Sequence, residues 1–70
     1  MDIAKLNDDL QFCIERKDLA LRAVGLFVSK GDLNNASWWA NSADDWQLLI
    51  DDLKETIDAE MREAKDDPAN

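Results

Sequence analysis

Ser29-Lys30-Gly31-Asp32 is the turn signal between two long stretches of helical periodicity. Gly31 can adopt the positive φ of the residue that ends a helix. Asp32, Asn34 or Asn35 can cap the next helix, because a short side-chain oxygen accepts an otherwise unpaired backbone N–H. The pattern predicts one helix over about 2–29, a turn over about 30–32 and a second helix over about 33–65. A link this short makes the helices antiparallel neighbours, an αα-hairpin. The tail, residues 66–70, holds the only proline, Pro68, and is expected to be disordered.

Working outward from the turn, both segments repeat every seven residues. In the first, Ile3, Leu10, Lys17 and Val24 take position a, and Leu6, Cys13, Ala20 and Phe27 take position d. In the second, Ala36, Ala43, Ile50, Ile57 and Ala64 fall at a, and Trp39, Trp46, Leu53 and Glu60 at d, with Leu49 and Met61 beside that seam. Small side chains at a against large ones at d suit interdigitated packing. The first segment has more apolar surface than one neighbour can cover. Ile14, Leu21 and Val28 form a stripe at e, and Phe12, Leu19 and Leu26 form another at c. The expected fold is all-α, an antiparallel hairpin that pairs with a second copy into a four-helix bundle. In that assembly Phe12, Leu19, Leu26 and the adjacent Arg16 are the expected dimer interface.

The chain has 70 residues, and a domain of this size rarely draws more than about 3–5 kcal/mol from its own core. Association is the available remedy, since a lone Cys13 forms no internal disulfide. With no His and one Cys there is no zinc-finger ligand set, and the commonest general base is missing. The sequence therefore predicts neither an enzyme nor a cofactor or metal protein. Cys13 at d is read as a small core hydrophobe. Lys17, interrupting the a row, either snorkels to solvent or pairs with an acid such as Glu55 or Glu60. The N-terminal MDIAKLNDDL lacks the basic-then-apolar order of a signal peptide, and no apolar run spans a bilayer, so the expected location is the cytoplasm.

Charge divides the chain. Residues 1–30 carry five acids and five bases, whereas residues 31–70 carry eleven acids and three bases, so the formal net charge of -8 lies entirely in the second part. The acidic sign opposes direct binding of nucleic acid. Asp44, Asp51 and Asp58 form a ladder with steps of about 10 Å on a helix. It is either a solvated face that maintains solubility or a rail for a basic surface, such as the DNA-binding face of a regulator. Three tryptophans crowd into Trp38-Trp39-Ala40-Asn41-Ser42-Ala43-Asp44-Asp45-Trp46. Trp39 and Trp46 fit the seam. Trp38 points elsewhere, either into the dimer interface or outward as an anchor. With Asn41, Asp45 and Leu48 it forms an i, i+3, i+7, i+10 face, and Asp52 extends it.

In length, two-helix layout and the Trp38–Trp46 segment, the chain resembles the small Pseudomonas-phage anti-quorum-sensing (anti-activator) proteins. The plasmid copy-number regulator built as a dimer of hairpins is similar in architecture, but it binds RNA, which this charge opposes. The phage resemblance implies a homodimer acting in the host cell, with two partners: the quorum-sensing transcriptional activator and the type IV pilus assembly ATPase. It also implies that Asn41 and Trp46, with Trp38 nearby, touch the regulator. The heptad instead directs Trp46 inward. The sequence thus predicts an inhibitor that binds a host protein of basic surface through Trp38, Asn41, Asp45, Trp46, Leu48 and Asp52. The alternatives are a DNA mimic filling a nucleic-acid-binding groove and a structural or assembly subunit.

Overall fold

The computed structural model describes residues 2–65, with side-chain surroundings through residue 63. Ala64 and the tail at 66–70 therefore lie outside the described side chains. Two α-helices, α1 (Ile3–Ser29) and α2 (Leu33–Lys65), pack as an antiparallel hairpin. The chain is a rod of 60 × 15 × 13 Å. Its radius of gyration is 16.8 Å, where a compact chain of this length would have about 11 Å.

The helix ends are built from local hydrogen bonds. Asp2 opens α1, its carboxylate accepting from the backbone N–H groups of Ala4 at 3.0 Å and Lys5 at 3.4 Å. At the other end Gly31 takes φ +74°. The Gly31 N–H donates to the Val28 carbonyl at 3.0 Å, and the Asp32 N–H donates to the Phe27 carbonyl at 2.9 Å. These two bonds make a Schellman cap and use carbonyls that the helix leaves free. Asp32 then starts α2 at once. Its carboxylate accepts from the Asn35 backbone N–H at 3.2 Å and from the Asn35 side-chain amide at 2.7 Å. The stop and the start thus share one residue, which keeps the link short.

The heptad rows meet in the seam as the periodicity predicts. Cys13, Ala20, Ala36, Ala43, Ile50 and Ile57 are buried. Every other described a or d residue is half-buried, including Lys17, Trp39, Trp46 and Glu60. Small side chains at Ala20, Ala36 and Ala43 line the half of the seam nearest the turn, and Cys13 lies in the far half. None of the large side chains is fully buried among the described residues. A two-helix seam covers one stripe of each helix and no more.

Lys17 meets neither Glu55 nor Glu60. Its ammonium donates to Oε1 of Gln47, and the Gln47 amide donates in turn to Asp51 at 2.7 Å. The antiparallel register sets residue 17 opposite 47, so the polar relay replaces a direct ion pair. The two salt bridges among the described residues are exposed i,i+4 pairs within single helices, Asp18–Arg22 at 2.9 Å and Asp58–Arg62 at 2.8 Å. Such pairs contribute about 0.3–0.5 kcal/mol each, so apolar burial holds the helices together.

Three stability measurements follow from these contacts. Nothing lies within 4 Å of a Cβ built on Gly31, so Gly31→Ala tests backbone strain alone and should cost about 1 kcal/mol in urea unfolding. Gln47→Ala strips the half-buried Lys17 ammonium of its acceptor and should also cost about 1 kcal/mol. The hydrogen bonds from Asn35 hold the Asp32 carboxyl below its ordinary value, with the charge of Lys30 adding to them. A depressed native-state value means stability that is complete above the unfolded-state value and lost as pH falls through the native one. Asp32→Ala should therefore lower Tm at pH 7, and its deficit should shrink in acid melts as the parent loses the charged cap.

Candidate partner-binding surface

Three exposed faces remain once the seam is closed. The first is the back of α2. Trp38 and Leu48 are exposed to 61% and 68%. Asn41, Asp45 and Asp52 are exposed beside them. Trp38, Asp45 and Asp52 share position c and Asn41 and Leu48 share position f, so the five residues form one strip about 21 Å long, directed away from α1. The sequence-predicted face is thus assembled, with one exception. Trp46 at position d is half-buried and meets the ring of Phe12 edge-on, with centroids 6.0 Å apart. It belongs to the contact between the helices and not to the outward strip, because a d side chain on α2 points at α1.

The second face is the flank carrying the c and g positions. In an antiparallel pair the c and g rows of both helices lie to the same side. Phe12, Leu19 and Leu26, each about half exposed, therefore share this flank with Trp38 and Leu49. Arg16 lies over the Phe12 ring, 5.0 Å from its centroid, which continues the Phe12–Trp46 contact into a three-member stack. Trp38 meets Trp39 edge-on at 4.8 Å, so the exposed ring is supported from beneath by a half-buried one. Edge-to-face aromatic pairs add about 0.5–1.5 kcal/mol beyond area burial. The four residues expected at the dimer interface thus share one flank, and Leu49, beside the seam in the heptad, joins them there.

The third face is the opposite flank, where the e positions gather Ile14, Leu21, Val28 and Leu33. Asp44, Asp51 and Asp58 stand at its α2 edge, all exposed. Asp58 is engaged by Arg62 and Asp51 by Gln47.

The exposed area is large for the mass. A compact monomer of 8.0 kDa exposes on the order of 4,500 Å², whereas this hairpin exposes 5363 Å². The difference follows from the elongated shape, 60 × 15 × 13 Å. No group of three or more His, Cys, Asp or Glu that could hold a metal occurs among the described residues. No described helix is long and apolar enough to cross a membrane.

Comparison with known proteins returns no matching family model, curated protein or solved structure.

The placement of the tryptophans is open to measurement. Trp46→Ala should cost about 3 kcal/mol in urea unfolding because it empties the inter-helix contact, whereas Trp38→Ala should cost about 1 kcal/mol or less. Equal costs would show that the two rings are not divided between seam and surface.

Proposed function

We propose that this chain is a small acidic interaction protein that inhibits a host protein by stoichiometric binding. The observation that supports the reading best is the exposed strip Trp38, Asn41, Asp45, Leu48 and Asp52 on the back of α2. A large rigid ring held by Trp39 beneath it resembles the anchors that dominate protein interfaces. The flanking carboxylates suit a partner with a basic surface and would speed encounter. Taken with the phage-protein resemblance, the first partners to test are a quorum-sensing transcriptional activator and a type IV pilus assembly ATPase, met in the host cytoplasm. The active form is a homodimer joined through Phe12, Leu19, Leu26 and Arg16, a proposal that rests on the exposed apolar row of Phe12, Leu19 and Leu26.

Sedimentation at micromolar concentration should give twice the 8.0 kDa chain mass, and Leu19→Asp/Leu26→Asp should give the monomer. Binding to the purified activator should fall at least about tenfold in Trp38→Ala, the scale of an interface hot spot. Asp51→Asn/Asp52→Asn should weaken it only mildly. The reverse ranking, with a steep loss on adding salt, would identify a DNA mimic instead. Unchanged binding in both variants would favour an assembly subunit.

A further inference from the structure

We draw no further inference here: the strongest candidate, the exposed apolar row of Ile14, Leu21, Val28 and Leu33 along the e flank of the hairpin, is an unpartnered face, and nothing in the structure shows what covers it.

Discussion

The seam between α1 and α2 is a single apolar stripe on each helix, and the other features follow from that limit. Two helices can cover only the faces they turn to each other. In this chain those faces are narrow, with Ala20, Ala36 and Ala43 buried near the turn and Cys13, Ile50 and Ile57 buried further along. Every large apolar side chain outside the a and d rows is consequently exposed among the described residues. The rod shape raises the exposed area above that of a compact chain of the same mass, and α1, with an apolar stripe on either side of the seam, is the helix most in need of further neighbours.

The short link makes this arrangement definite. Gly31 ends α1 with a positive φ and Asp32 caps α2 in the next residue. With so little chain between them the helices run antiparallel, and an antiparallel pair sets equivalent heptad positions side by side. Phe12, Leu19 and Leu26 then share a flank with Trp38, while Ile14, Leu21 and Val28 share the other with Leu33. Residues far apart in the chain are gathered into surfaces by the direction of the second helix.

Electrostatics gives those surfaces different characters. The net charge comes entirely from residues 31–70, but the flanks do not divide it evenly. The c and g flank mixes bases of α1 with acids of α2, whereas Asp44 and Asp51 stand at the e flank with the Lys17 ammonium turned to Gln47. Salt bridges within single helices tie up Asp18 and Asp58. Apart from the Asp2 and Asp32 caps and the relay from Lys17 through Gln47 to Asp51, the hairpin's contacts do not involve these charges. They remain available for recognition, where complementarity sets encounter rate and partner choice.

Much of this was legible in the sequence. The period of seven residues determined the helices and the seam, because an apolar stripe at that spacing can be buried only by another helix. Gly31 and Asp32 determined the hairpin through backbone geometry. The outward placement of Trp38, Asn41, Asp45, Leu48 and Asp52 also followed from the period. Trp46 shows the limit of resemblance, which put it on the partner face, whereas its d position turned it toward Phe12. Lys17 shows the limit of reading charge alone. Its partner is the neutral Gln47, because register decides which side chain is within reach and nothing in a list of acids states the register. The exposure of Leu49 and Met61 beside the seam, the stack of Arg16 on Phe12 and the separation of two apolar flanks were decided only by the tertiary structure. The physical reason is that each depends on where the second helix lies, and a one-dimensional pattern shows which face a residue occupies but not what stands opposite it.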